Sequence, residues 1–581
     1  MLRPRALRRN LKTAAVYAAI AGMLVTSGPV QAATYTWNNA ANAATGSVSP
    51  ANNMWSNTAN WLNSVAPDGT DTSGILQFNG GGYTANNDLS AGFNLNQIQI
   101  VNTFSSAYGT AAALNLTGNA LDFSAAGVIS QNGFGAVNIS NDLGLTGGLT
   151  IDGTGGVLAT AGGILTGVPT MSLGGVISGS GPLTLSTFGG TTVVSGANTF
   201  TGGVNMNSGT LSVAADANLG DASNGVTFGA PGSGVLLASN SFTSARAVTF
   251  AGNGAIDAAS GKTLALTGAL AGTGSMFIGK TAGDTGIVNL QGISANTTAG
   301  NVYLNGGTLS ISSDAQLGAG TNNLVFGGGT LQAATTNPFT TARNITLATG
   351  GTIDVVNGQT LTATGLVSGS GSLTVTDSGT LGIDGVVPNT YTGTTTLSAG
   401  SNLTVNSAGG LGSGPLTMAS GTTLDLEADQ SIAAFAGTNA GALTLDANLT
   451  VNQSTKSTMS GVISGIGSLT MNGTGNLTLS GANLFTGGTT INSGVVTFGS
   501  IAATGGTSNG AIAVNSGGVA AASFAMTQAF LDNVTSGGAA GGVIALGASS
   551  SAALSFAADN LAGASLGATG AFTYSGALTP N

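Results

Sequence analysis

Val176-Ile177-Ser178-Gly179-Ser180-Gly181-Pro182-Leu183-Thr184 is a phrase that the chain writes more than once. It returns as Leu366-Val367-Ser368-Gly369-Ser370-Gly371-Ser372-Leu373-Thr374 and as Val462-Ile463-Ser464-Gly465-Ile466-Gly467-Ser468-Leu469-Thr470. A weaker copy lies at Leu270-Ala271-Gly272-Thr273-Gly274-Ser275-Met276. The second glycines, at 181, 274, 371 and 467, stand 93, 97 and 96 residues apart. A second phrase, Ser195-Gly196-Ala197-Asn198-Thr199-Phe200-Thr201-Gly202-Gly203, returns as Ser480-Gly481-Ala482-Asn483-Leu484-Phe485-Thr486-Gly487-Gly488, with degenerate copies centred on Asn296 and Asn389. A unit of about 95 residues therefore repeats, and repetition at a fixed period is the mark of a stacked architecture.

A shorter beat runs inside that unit. Leu309, Leu331, Ile353 and Leu373 each follow Gly-Thr or Gly-Ser, at steps of 22, 22 and 20, and the step on to Leu403 is 30. The spacing predicts superrepeats of three ordinary coils and one with a longer loop. Apolar residues alternate with Thr, Ser and Asn between glycines, which is strand and turn chemistry. Coils of about 22 residues with two or three short strands each make an all-β, parallel β-solenoid. Leu, Val and Ile fill a continuous core, glycine turns the corners, and Thr, Ser and Asn stack outside.

Composition excludes most chemistry. The 581 residues include 98 Gly, no Cys and no His, and only 5% are charged. Serine or cysteine triads, thiolate nucleophiles, zinc fingers and His-ligated haem are ruled out, as are disulfides. Carboxylate chemistry, calcium binding or no chemistry at all remain. The expectation is a non-enzymatic chain with no catalytic, cofactor-binding or metal-binding residues and no cofactor.

At the N-terminus Arg3, Arg5, Arg8, Arg9 and Lys12 precede an apolar run, Ala14 to Val25, then Gly28-Pro29 and the small-residue site Val30-Gln31-Ala32. This order predicts a secretory signal peptide over 1–32, and Arg8-Arg9 hints at a twin-arginine version. The rest keeps five basic against 20 acidic residues, a net charge of −15, which repels nucleic acid.

The Val-Ile-Ser-Gly-x-Gly-x-Leu-Thr phrase, followed by Leu-x-Leu-Ser-Gly-Ala-Asn-x-Phe-Thr-Gly-Gly-Thr-Thr at Leu477 to Thr490, resembles the autotransporter-associated β-strand repeat of bacterial passenger regions. The resemblance covers about 174–499. It implies a right-handed parallel β-helix, export from a Gram-negative-type cell, and display at the outer membrane or release. It also implies a β-barrel anchor; with Thr579-Pro580-Asn581 as the last residues here, the expectation is either a fragment of a longer chain or an anchor carried elsewhere. The expected organisation is signal peptide 1–32, Trp-containing cap 33–126, repeat region 127–499, and degenerate coils or linker 500–581, with a short helical stretch from Met526 to Val534. The expected role is a surface stalk or adhesin-like passenger meeting an extracellular glycan or a neighbouring cell. The alternative is a glycan-binding module or polysaccharide-active enzyme using Trp55, Trp61 or carboxylates.

Several motifs bear on that choice. Trp37, Trp55 and Trp61 read as a cap over the raw end of the first coil, or as a sugar-stacking platform. Gly274 to Thr281 fits G-x-x-x-x-G-K-[ST], but Gly274 aligns with corner glycines and Met276-Phe277-Ile278 with a strand. Lys280 is then a turn residue and no nucleotide is expected. Asp377-Ser378-Gly379-Thr380 lacks the second carboxylate of an aspartic protease, and the G-x-S-x-G matches at Ser508 and Ser565 lack a histidine. Asp425-Leu426-Glu427-Ala428-Asp429 puts three carboxylates at alternate positions of a strand. It reads as a solvated outer face; the alternatives are calcium binding or an acid/base pair. Arg246 and Arg343, 97 apart in matching Phe-Thr-x-Ala-Arg phrases, read as structural features of the repeat.

Overall fold

The computed structural model describes residues 32–37 and 53–580 apart from 80–81, 91, 102–112, 133–134, 154–157, 161–162, 166–169, 187–188, 231, 233, 281–282, 292–295, 335–336, 436–437, 506–511, 537–540, 558–560 and 562. The signal-peptide reading of 1–32 therefore lies outside the described residues except at Ala32.

Strands of two to eleven residues wind into about 20 turns, each about 22 residues after the last. Nearly every strand pairs in parallel with the equivalent strand of the coil before and after it. Along one sheet Leu183, Val204, Val226, Val248 and Leu270 stand in register on successive coils. Along another run Val288, Leu309, Leu331, Ile353, Val375 and Leu397. All are buried, and each row is a continuous ladder of apolar side chains. Alternation does the sorting: in the strand Ser372–Thr376 the sequence Ser-Leu-Thr-Val-Thr sends Leu373 and Val375 inward and leaves Ser372, Thr374 and Thr376 half-buried outside, as a period of two requires.

The shorter beat needs a correction. Ile353 stands opposite Val375, not Leu373, because Leu373 and Val375 lie two apart in the strand Ser372–Thr376 and both point inward. Leu403 belongs to a different sheet, where it stands opposite Leu381. The coil through Thr390-Tyr391-Thr392 has no longer loop, since Leu373 pairs with Thr395, 22 residues on. Tyr391 is driven into the core there, its hydroxyl 2.6 Å from Oγ1 of Thr395. The superrepeat is also out of phase with the coils. Its copies at Ile177, Leu270 and Val367 stand in three different sheets.

The Gly-x-Gly corner has a plain cause. Gly179, Gly272, Gly369 and Gly465 all take positive φ, between 101° and 111°, which side chains rarely adopt. A Cβ on Gly181, Gly274, Gly371 or Gly467 would collide with the backbone of the coil below. One glycine makes the bend and the other lets two coils touch.

The stack begins at Thr34–Thr36, the outermost strand of its sheet, and runs to Leu578–Thr579. Within Met526 to Val534 the helix is a single turn, Gln528–Leu531, after which Val534–Ser536 resumes the sheet.

Candidate functional site

The repeat's polar residues inside the fold are built for holding coils together. After the strands Thr210–Val213 and Thr308–Ile311 the chain makes one 3-10 turn, Asp216–Leu219 and Asp314–Leu317. Arg246 and Arg343 reach back from the next coil to grip these turns. Nε of Arg343 donates to Oδ1 of Asp314 at 2.8 Å, and its terminal nitrogens donate to the carbonyls of Asp314, Gly318, Ala319 and Asn322 at 2.5–3.2 Å. Arg246 repeats the arrangement on Asp216, Gly220, Asp221 and Asn224. The arginine side chains are 1–2% exposed and their carboxylate partners about a third. A planar fork of five donors suits such a cradle, which a lysine could not fill. In the next superrepeat Ala408 stands where Asp314 would. A neutral Gln430 holds that turn, donating to the Ser407 carbonyl and accepting from the Leu411 amide.

The second phrase supplies a staple. Oδ1 of Asn198, Asn296, Asn389 and Asn483 accepts the amide of Ile177, Leu270, Val367 and Ile463 one coil below, at 2.8–3.0 Å. Each Nδ2 donates to a carbonyl one coil above, on Asn218, Gln316, Gly410 and Ala503, at 2.6–2.9 Å. One buried amide thus links three coils and satisfies two backbone groups that the corner leaves without a strand partner. The sequence displayed these asparagines; only the stacking shows their bonds.

The carboxylate motif assembles differently from its alternation. The strand Thr423–Leu426 ends before the motif does, so Asp429 turns away and its Oδ1 accepts from the backbone and side-chain nitrogens of Asn448 at 2.9 and 3.0 Å. Asp446, one coil on, takes its place. Asp425, Glu427 and Asp446 each offer an oxygen within 4.8 Å of the others. Partial burial, then the charge of Asp446, raises the Asp425 carboxyl above its ordinary value. Leu426 is buried beneath, while Glu427 and Asp446 are exposed on the outer face. Calcium gathers six to eight oxygens, so this trio would need both oxygens of its carboxylates, or backbone carbonyls and water, to complete a shell. Asp446 was missed because its signal is a spacing of about one coil, not of two residues.

The remaining motifs fall on turns and strands. Lys280 is exposed at the turn after the strand Met276–Ile278, its amide donating to Asp284 Oδ2 at 2.8 Å; the next described element is the strand Ile287–Leu290. Asp377, at φ 63°, accepts from the Ser378 amide at 2.7 Å. Ser565 starts the strand Ser565–Ala568. Ser508 lies outside the described residues.

Trp37, Trp55 and Trp61 are 0–1% exposed. Trp61 meets Trp37 and Trp55 edge to face, with centroids 5.0 and 6.0 Å apart, and its Nε1 donates to the Trp55 carbonyl at 2.8 Å. Phe78, Tyr83 and Phe93 pack around them. No indole face is open to a sugar, so the platform reading of Trp55 and Trp61 does not hold.

Stapled coils, corner glycines and arginine clamps define a repeat-built β-solenoid. The passenger-associated-transport-repeat family matches it at residues 178–213, 368–401 and 469–498. The chain thus carries passenger repeats of the autotransporter kind. It is also similar to the "Adhesin BmaC autotransporter" of Brucella suis biovar 1 (strain 1330), at 35% identity over 227 residues. That match covers 36% of this chain and 6% of the relative. No solved structure matches the chain.

Proposed function

We propose that this chain is a non-enzymatic passenger displayed outside a Gram-negative-type cell, acting as a stalk with adhesin-like contact to glycans or a neighbouring cell. The single observation that carries this reading is where the polar chemistry goes. The buried arginines and asparagines are consumed in holding coil to coil, which makes a long rod, and two of the three carboxylates that converge, Glu427 and Asp446, stay exposed to solvent. The adhesin in the relative's name agrees with it.

Residues 1–32 are then the export signal, removed after Ala32; 33–126 contain the aromatic cap; 127–499 are the repeat region; and 500–581 continue the stack in degenerate form. The experiment is immunolabelling of intact cells together with attachment of strains with and without the gene to host and bacterial surfaces. Labelled cells that attach better than the deletion strain are expected. Protein confined inside the cell, or attachment unchanged by deletion, overturns the reading.

A further inference from the structure

Among the outward positions of the repeat, one column breaks the rule of Thr, Ser and Asn with aromatic rings. The strand after each Gly-x-Gly corner reads Leu183-Thr184, Leu373-Thr374 and Leu469-Thr470, but Met276-Phe277 in the second copy. Phe277 stands opposite Tyr303 on the next coil, and the two half-buried rings stack with centroids 4.5 Å apart and planes 8° off parallel. On the coil before, the same column carries Ala255, preceded there by Val235. One face of Phe277 is covered by Tyr303, and the other turns along the axis toward a residue too small to reach it.

A groove of about 190 Å³ opens there, lined by Gly234, Gly254 and Ala255 together with Phe277, Lys280 and Asn305. The groove is open to solvent and leaves room for one ring beside Phe277. Lys280 brings an ammonium, but its amide is bonded to Asp284, and Asp257, buried close by, feels both charges. The groove therefore holds no excess positive charge for an anion. It offers an aromatic face, an ammonium donor and an amide that donates and accepts.

We propose that this groove binds one neutral pyranose ring of an extracellular glycan, stacked on the free face of Phe277 with its hydroxyls toward Lys280 and Asn305. A sugar ring has an apolar C–H face that packs on an aromatic, and hydroxyls that need such polar partners. An aromatic side chain of a partner would satisfy the stack but leave the ammonium and the amide without use.

The proposal rests on the display reading above, yet its test is separate from it. The exported full chain is titrated with neutral glucose-, galactose- and mannose-type oligosaccharides by saturation-transfer NMR, with Kd expected on the order of 1 mM. Ala255→Phe fills the groove from an outward position, and Phe277→Ala removes its wall. Each is expected to weaken binding by about tenfold or more, with the circular-dichroism spectrum of the folded chain retained and only Phe277→Ala lowering the thermal midpoint slightly through its lost stack on Tyr303, whereas Thr374→Ala, in the corresponding position of another copy, leaves binding as it was. Saturable binding that ignores both groove variants, binding only of charged sugars, or no binding of any neutral sugar overturns the proposal. Attachment of whole cells that persists in the Ala255→Phe strain would retain the adhesin reading while removing this groove from it.

Discussion

Replacing Arg343 with Met tests whether the arginine clamp holds the coils together. The side chain is 1% exposed and bonded to the Asp314 carboxylate and to four backbone carbonyls. Methionine fills much of the same space, so little of the loss is a cavity. What is lost is the partner of each acceptor. Asp314 is 29% exposed and recovers water, so its charge contributes only part of the penalty. The carbonyls of Gly318, Ala319 and Asn322 sit against the turn, and a buried acceptor left without a donor costs about 1–3 kcal/mol. Partial rehydration brings the expected total to about 3–5 kcal/mol, the range seen when one partner of a buried ion pair is removed.

Urea unfolding followed by circular dichroism measures that cost, and hydrogen exchange locates it. Because each coil meets only its neighbours, protection should fall around 314–345 and remain at the far ends of the rod. Arg343→Lys keeps the charge but not the fork, and is expected to cost about half as much. A loss under about 1 kcal/mol for Arg343→Met, or protection falling evenly along the whole rod, would refute the clamp.

Other outcomes follow from the same geometry. Leu331→Asp, between Leu309 and Ile353, is expected to cost about 4 kcal/mol or more, and Thr330→Ala, on the outer side, about 0.5 kcal/mol at most; equal tolerance in urea melts would contradict the inward row. The Asp425 carboxyl is raised by burial and by Asp446, so its ionised form opposes folding and stability falls as pH rises through that raised value. Asp425→Asn should therefore stabilise the chain at pH 7, by under about 1 kcal/mol because the group is only partly buried, with the gain vanishing below about pH 4; a gain that grows in acid would reverse the assignment. About 20 turns at ~4.8 Å each make a particle close to ~100 Å long by small-angle scattering, and a compact particle near ~25 Å radius of gyration would exclude the stack. Mass spectrometry of the exported protein should find Ala33 first, and an intact Met1 would remove the cleavage reading.

The coil was legible because its cause is local. Alternation, corner glycines and a 22-residue step appear in the order of letters, and the family resemblance rests on the same phrases. The phase of the coils was not legible. Leu373 and Val375 are both apolar, both inward and two apart, so the sequence offers two equally good partners for Ile353, and only backbone pairing chooses the second. The carboxylate cluster failed for the same reason. Asp429 looked like the third member along the strand, while Asp446 arrives from the neighbouring coil. Contacts made along the axis join residues about 20 apart, a distance at which the chain gives no local sign of which face is shared.

That mismatch between superrepeat and coil also decides how such a rod can carry function. Copies of the phrase at Ile177, Leu270 and Val367 lie in different sheets, so an outward residue written into every copy points a different way each time. Faithful repetition cannot build a continuous binding strip along one side; it can build only length and a uniform, weakly charged coat. A specific site must come from departure, where one copy breaks the pattern and its neighbours along the axis accommodate the break. Phe277 in place of the repeat's threonine, covered by Tyr303 on one side and opened by Ala255 on the other, is such a departure. Met276, one residue earlier, keeps its inward place in the core, so the ladder tolerates the change without altering the coil. Selection on length and selection on contact can then act on different residues of the same turn.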